Sequence, residues 1–299
     1  MSHNSESQAI NIHRTKQMVE QAREAQNRKN ADVGIGQSKH ARIRLVPTSL
    51  GEIRVLEYGF DSQESQPLMI DLHGGGFIFN SADVDERIIL KMRETVKGCK
   101  FISIDYPKAP EAPFPAAPNA VYEVAQYYVN HAHEYGIDSS RMVIGGHSAG
   151  GNLATVTCMR AIQTKTFSFV GQILDYPPLN LAIPATQKAN PKGSIPPELA
   201  MLFDTCYIAD NDPKNPYISP VYAAENVLSA MPPALIIVCG MDSLGNEAEE
   251  YAHLLERSGV PVHLCIYPEA LHGFTYDFTD MANGAIDKMA GFLKDRIEK

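Results

Sequence analysis

Six apolar runs of strand length, spaced by segments of helical period, constrain this chain more than any other feature. They lie near residues 68–72, 101–104, 142–145, 170–174, 235–239 and 262–266, and the later ones are rich in Val, Ile and Leu with little polar alternation. Strands that are apolar on both faces have to be covered on both, and a largely parallel sheet with helices on each side does that. Two earlier runs, 43–46 and 53–57, are joined by a short link containing Gly51 and read as a hairpin, which brings the expected strands to eight. Helix-length segments are expected near 84–96, 116–134, 150–161, 247–258 and 282–297. In the last of these Ile286, Met289, Phe292 and Leu293 recur at helical spacing and read as a core stripe.

Two segments stand outside the alternation. Before residue 43, Ile12, Met18, Val19, Ala22 and Ala25 mark one face of an amphipathic helix. From about 177 to 229 runs a proline-dense stretch, too long for a structureless connection and expected to hold helices of its own as a lid or cap. The chain therefore divides into an N-terminal segment, 1–42, a core of 43–176 and 230–299, and an insertion, 177–229.

Composition excludes several partners. With 44% hydrophobic and 20% charged residues the chain has the makeup of a globular protein. Its net charge of −9 disfavours a general affinity for nucleic acid. Residues 1–45 hold eight basic residues against four acids, but Glu20 and Glu24 interleave with the bases, so that stretch reads as a solvated helix face. The polar opening MSHNSESQ does not look like a secretory signal, and no stretch approaches the length of a membrane span. Five scattered cysteines (Cys99, Cys158, Cys206, Cys239, Cys265) form no C-x-x-C pair and are expected to be buried free thiols in a reducing cytoplasm.

Chemistry concentrates in four places. Gly146-His147-Ser148-Ala149-Gly150-Gly151 follows one strand and precedes a helical segment. A sharp strand-to-helix turn needs small residues at Gly146 and Gly150, and it lifts the Ser148 hydroxyl clear of the sheet. Alone, G-x-S-x-G arises by chance in about one chain in ten of this size. His73-Gly74-Gly75-Gly76 ends the third strand and is far rarer by chance; glycines there let backbone N–H groups converge on a developing oxyanion. A serine nucleophile needs a base and an orienting carboxylate, expected in the order serine, acid, histidine after late strands. Asp242, just beyond the run at 235–239, and His272, just beyond the last strand, fill those places. His131 and His133 are two apart on an expected helix and cannot form a metal pair, and Gly34-Ile35-Gly36 lacks the context of a dinucleotide fingerprint. No metal or cofactor is implied.

From about residue 68 to the C-terminus the chain resembles the bacterial hormone-sensitive-lipase-like esterases of the α/β-hydrolase fold. The likeness rests on His73-Gly74-Gly75-Gly76-Phe77, on Asp105-Tyr106-Pro107-Lys108-Ala109-Pro110-Glu111 leading into Pro113-Phe114-Pro115-Ala116-Ala117, on the serine turn, on Ser219-Pro220, on the Asp242 loop and on His272-Gly273-Phe274. The resemblance implies an eight-stranded, mostly parallel sheet with a cap made from the N-terminal helix and the insertion after strand 6. It implies Ser148 as nucleophile, His272 as base then acid, Asp242 as orienting carboxylate, the amides of Gly75, Gly76 and Ala149 as oxyanion donors, and His73 as a structural support of the glycine loop. Two residues depart from the pattern. His147 stands where the family commonly has Asp, and Lys108 where it often has a hydrophobic residue; adjacent side chains on a sharp turn point different ways, so His147 is not expected to act directly. The expected reaction is hydrolysis of small carboxylic esters, with short or medium acyl chains favoured over triglycerides. An amidase or other acyl-transfer hydrolase on the same site is the alternative, followed by a non-catalytic binding relative. The resemblance also allows a homodimer.

Overall fold

The computed structural model describes residues 2–32 and 34–298, with side chains from residue 15 onward. Helix α1 (Ser2–Asp32) leads into the hairpin β1 (Arg42–Thr48) and β2 (Gly51–Tyr58). The register runs from Arg42↔Glu57 to Thr48↔Gly51, leaving Ser49 and Leu50 to make the turn, and the Thr48 hydroxyl donates to the Gly51 carbonyl across it. The chain continues through β3 (Gln66–Leu72), α2 (Glu86–Thr95), β4 (Lys100–Ile104), α3 (Ala116–Asn130), β5 (Ile137–His147), α4 (Ala149–Thr164) and β6 (Gly171–Asp175). Helices α5 (Pro197–Ile208) and α6 (Glu225–Leu228) belong to the long connection that follows. Then come β7 (Ala234–Met241), α7 (Gly245–Arg257), β8 (Val262–Leu271) and α8 (Asp280–Ile297).

The eight strands form one sheet in the order β1-β2-β4-β3-β5-β6-β7-β8, with β1, β2 and β4 antiparallel to their neighbours in turn and every pair from β4 to β8 parallel. Along the central strands alternate residues enter two separate cores. Ile70, Ile144, Leu174 and Ile236 pack with α3, α4 and α7 on one face, whereas Met69, Val143, Ile173 and Ile237 pack with α2 and α8 on the other. Both faces are dry, which is why these strands carry no polar alternation. At the hairpin a buried carboxylate, Glu57, is held by Arg42 and Arg44 at 2.6 Å each and by the Tyr128 hydroxyl at 2.8 Å.

Several boundaries differ from the sequence reading. The segment at 84–96 divides into a 3-10 turn, Ala82–Asp85, and α2. Helix α3 ends at Asn130 because the chain must turn through Gly136, at φ +59°, into β5. That strand begins at Ile137, before the apolar run at 142, since Ile137 is buried and pairs with Gln66 across an irregularity in the ladder. On α1 only part of the expected apolar face docks. Val19 is buried and Ala22 half-buried, but Met18 is 46% exposed and Ala25 is exposed, while the Ile12 side chain lies outside the described residues. The docked face continues instead through Arg23, Gln26 and Asn30, because the surface beneath offers carbonyl oxygens at Ile78 and Ala109 that Arg23 reaches at 2.9 and 2.8 Å. Among the described residues no helix is long and apolar enough to cross a membrane.

Candidate active site

The ends of β3, β5, β7 and β8 carry the site, at the carboxyl edge of the parallel strands where open α/β sheets present their ligand crevices. Between β5 and α4, Ser148 adopts φ 51° and ψ −118°. A side chain there costs on the order of 1–3 kcal/mol unless the surroundings enforce it. They do: the Ser148 amide donates to the Asp175 carbonyl at 2.8 Å, and its carbonyl accepts from Gly151 and Asn152 as α4 begins. Glycine is required beside it because the first turn of α4 presses on the end of β3, so that a Cβ at Gly150 would overlap the Leu72 carbonyl.

After β3, His73 is fully buried and stacks on Tyr106 with ring centres 4.2 Å apart. Its Nδ1 lies 2.8 Å from the Gly74 carbonyl, and the Tyr106 hydroxyl donates to the His73 carbonyl at 2.7 Å. Burial, reinforced by the nearby Lys108 ammonium, lowers its pKa to about 4, so the ring is neutral at ordinary pH. The hydrogen bonds of the glycine loop run through its carbonyls: Gly74 accepts from Asn80, and Gly75 from the amides of Ile78 and Phe79. Gly75 and Gly76 have φ of +130° and +58°, and a Cβ on Gly76 would enter the ring of Phe203 from α5.

The two residues expected after the late strands meet Ser148. His272 Nδ1 lies 2.7 Å from Asp242 Oδ2, and His272 Nε2 lies 2.9 Å from Ser148 Oγ. A carboxylate only accepts, so Nδ1 carries the proton and Nε2 is left as the acceptor of the serine hydroxyl. Asp242 and Ser148 are buried, at 5% and 8% exposure, while the imidazole is partly open to a cavity of about 390 Å³. Gly74, Gly75 and Gly76 line that cavity beside Ser148 and His272. Gln26, Lys29 and Asn30 of α1 close one side, and residues 193–196, Leu199 and Phe203 close another. The segment 177–229 is tied to the Asp242 loop, where the Ser243 amide donates to Ser194 Oγ at 2.9 Å. Ser219 is buried within the same segment, bonded to the Leu181 amide and the Pro213 carbonyl.

His147 does not line the cavity. It is buried beneath the turn with Nδ1 2.7 Å from Asp175 Oδ2. Burial pulls its pKa down, but Asp85, Asp175 and Asp71 outweigh burial and raise it to about 9. Asp71, Asp85 and His147 offer ligand atoms within 4.8 Å of one another, the one such group among the described residues. Burial followed by the Asp85 charge pushes the Asp71 carboxyl well above the usual range, which favours a proton on the cluster. His131 lies just past α3 and bonds the Tyr127 carbonyl.

Sequence reasoning passed over Asp175, Tyr176, Thr275 and Phe203. Asp175 had a signal, since a polar residue closing a buried parallel strand stands at the site's edge. Thr275 and Phe203 had none, because their neighbours come from distant elements.

A family profile described as alpha/beta hydrolase fold matches residues 69–276. Carboxylic ester hydrolase LipN of Mycobacterium tuberculosis is 33% identical over 243 residues, which take in 77% of this chain and 62% of LipN, so the chain spans about three fifths of that relative. A hyperthermophilic esterase from Pyrobaculum calidifontis superposes with a TM-score of 0.82 at 29% identity, covering 93% of each chain. EstE1, a thermostable carboxylesterase from a metagenomic library, superposes with a TM-score of 0.83 at 28% identity, covering 95% of this chain and 98% of its own.

Proposed function

Because the chain belongs to the alpha/beta hydrolase fold family, on its hormone-sensitive-lipase-like side, we propose that it hydrolyses small carboxylic esters through an acyl-enzyme on Ser148. One observation carries the reading: the unbroken row from Asp242 Oδ2 through His272 to Ser148 Oγ, opening on a cavity beside the glycine loop. His272 Nε2 takes the hydroxyl proton as Ser148 Oγ attacks the ester carbonyl carbon. The amides of Gly75, Gly76 and Ala149 receive the charge that gathers on the carbonyl oxygen, and being fixed they need no reorganisation. The ester C–O bond then breaks as His272 returns the proton to the leaving oxygen, and the alcohol departs. Water, deprotonated by His272, attacks the acyl carbon; Ser148 recovers its proton and the acid leaves. Asp242 keeps the Nδ1–H tautomer and balances the imidazolium in both halves of the cycle.

Helix α1 and residues 177–229 act as the cap over this centre, as their contribution to the cavity wall supports. A cavity of about 390 Å³, walled by Phe79, Phe203 and Leu199 together with polar groups of α1, favours short or medium acyl chains. The five cysteines are unpaired, which supports a reducing, cytoplasmic setting. The outer edge of β8 is unpaired and leaves Ile266 47% exposed, which supports a second copy docking there.

Replacing Ser148 with Ala is expected to remove at least a thousandfold of the turnover of a short-chain aryl ester while the circular dichroism spectrum stays unchanged. Undiminished turnover by the folded variant refutes the reading, and matched ester and amide substrates tell an esterase from an amidase.

A further inference from the structure

Beneath the catalytic row, the buried ends of β5 and β6 and the loop after β8 are joined by a chain of hydrogen bonds that the reaction steps above do not use. Asp175 is its hub. Its carbonyl accepts from the Ser148 amide at 2.8 Å, and its Oδ2 accepts from His147 Nδ1 at 2.7 Å and from the Thr275 hydroxyl at 2.9 Å. The Thr275 proton is thereby committed to Asp175, so the Tyr176 hydroxyl donates to Thr275 Oγ1, at 2.6 Å. Tyr176 holds φ 41°, which a tyrosine adopts only under constraint, and its ring meets the His272 ring edge-on at 4.8 Å between centres.

The loop bearing His272 has a second buried anchor. Tyr276 donates to Asp85 Oδ1 at 2.6 Å. Both carboxylates that receive this loop, Asp175 and Asp85, face the His147 ring, which also has Asp71 Oδ1 3.9 Å from its Nε2. Asp85, Asp175 and Asp71 favour the positive form of this buried ring, which ties the two anchors of the loop to one group. Burial and the Asp85 charge raise the Asp71 pKa well above the usual carboxyl range, and Ser103 donates to Asp71 Oδ2 at 2.7 Å.

We propose that His147 is a positioning residue, which through Asp175 and Thr275 holds the His272 loop in register with the Ser148 turn. The inference rests on Ser148 and His272 being nucleophile and base. A misplacement of the base by a fraction of an ångström lowers the rate of the chemical step, and leaves ground-state binding in a cavity that His147, Asp175 and Thr275 do not line. A purely structural role predicts something different: lost stability, with kcat per folded molecule unchanged.

The test uses the full chain, a short-chain aryl ester, and a phosphonate that labels the nucleophile. Thr275→Val, nearly isosteric, and His147→Asn are each expected to lower kcat about tenfold with KM within about twofold, and to slow phosphonate labelling in parallel. Thr275→Ser keeps the hydroxyl and is expected to restore kcat to within about twofold. Because both changes cut one relay, the double variant is expected to be no more than about threefold slower than the worse single. Full kcat in folded Thr275→Val, or losses that multiply to about a hundredfold, overturns the relay, and Thr275→Val decides if His147→Asn does not fold. One tightly bound metal ion per wild-type chain, whose removal costs the activity, also overturns it. Wild-type protein that is not labelled at Ser148 overturns the esterase reading together with the relay; labelling of the wild type with indifferent variants overturns the relay alone.

Discussion

A protonated imidazole sealed in a protein interior needs negative charge on more than one side, and the partners of His147 come from five elements. Asp71 lies on β3 with Ser103 of β4 behind it, Asp85 precedes α2, Asp175 closes β6, and Tyr176 and Tyr276 present their rings at 6.3 and 5.4 Å. Its pKa in the fold, about 9, lies above the 6.5 of a free imidazole. The stabilisation from that difference is complete below about pH 6.5 and is lost as pH rises through about 9, and it amounts to on the order of 3 kcal/mol. Asp71 acts in the same direction, since the fold favours its protonated form. Urea unfolding at pH 7 and pH 10 is therefore expected to show wild-type stability falling more steeply than that of His147→Asn; parallel curves would count against a buried imidazolium. Ser148, Asp242 and His272 were legible in the sequence because each sits at or just past the end of an apolar run, next to glycines. The partners of His147 were not, because the cluster exists only once β3, β5, β6 and the loop after β8 stand side by side.

Helices were legible where burial is apolar and continuous, as in α8, where Ile286, Met289, Phe292 and Leu293 are all buried. On α1 the period is there, but the docking is mostly polar and the apolar pattern overstates the face. Arg23 does most of it, with Nη1 and Nη2 each 2.8 Å from the Glu111 carboxylate, besides its two bonds to carbonyls. The two side chains of the ion pair are 30% and 60% exposed, so that pair contributes under about 1 kcal/mol. The bonds from a guanidinium to the carbonyls of Ile78 and Ala109 are worth more, up to about 3 kcal/mol each. The insertion is fastened differently, by Lys188 and Glu247, 2.6 Å apart with side chains only 8% and 4% exposed, and Glu247 also accepts the amides of Leu179 and Asn180. Helix α1 is thus the more easily lifted part of the cavity wall. Arg23→Ala is expected to raise KM about fivefold or more and leave kcat within about twofold, while trypsin cuts before residue 42 faster than in the wild type. An unchanged KM with unchanged protease resistance would mean that other contacts hold the helix.

For the molecule as a whole, strand number and type could be read from composition, since a run buried on both faces can be recognised one strand at a time. The order β1-β2-β4-β3 could not, because it depends on which way each connection crosses the sheet. That order leaves two open edges, β1 and β8, and they differ in charge. On β1 the exposed Ile43 and Leu45 alternate with Arg42 and Arg44, so two copies meeting there would bring four guanidinium groups together. On β8 residues 262–267 carry no acid and no Lys or Arg, and pairing can run until Pro268, which has no N–H to donate. An antiparallel, twofold contact across β8 would extend the sheet through both copies and cover Ile266. Sedimentation is accordingly expected to give twice the chain mass for the wild type and for Ile43→Lys, and the single-chain mass for Ile266→Lys, with hydrolysis per chain retained. A wild type that sediments as one chain at micromolar concentration, or a dimer that survives Ile266→Lys and yields to Ile43→Lys, would move the contact away from β8.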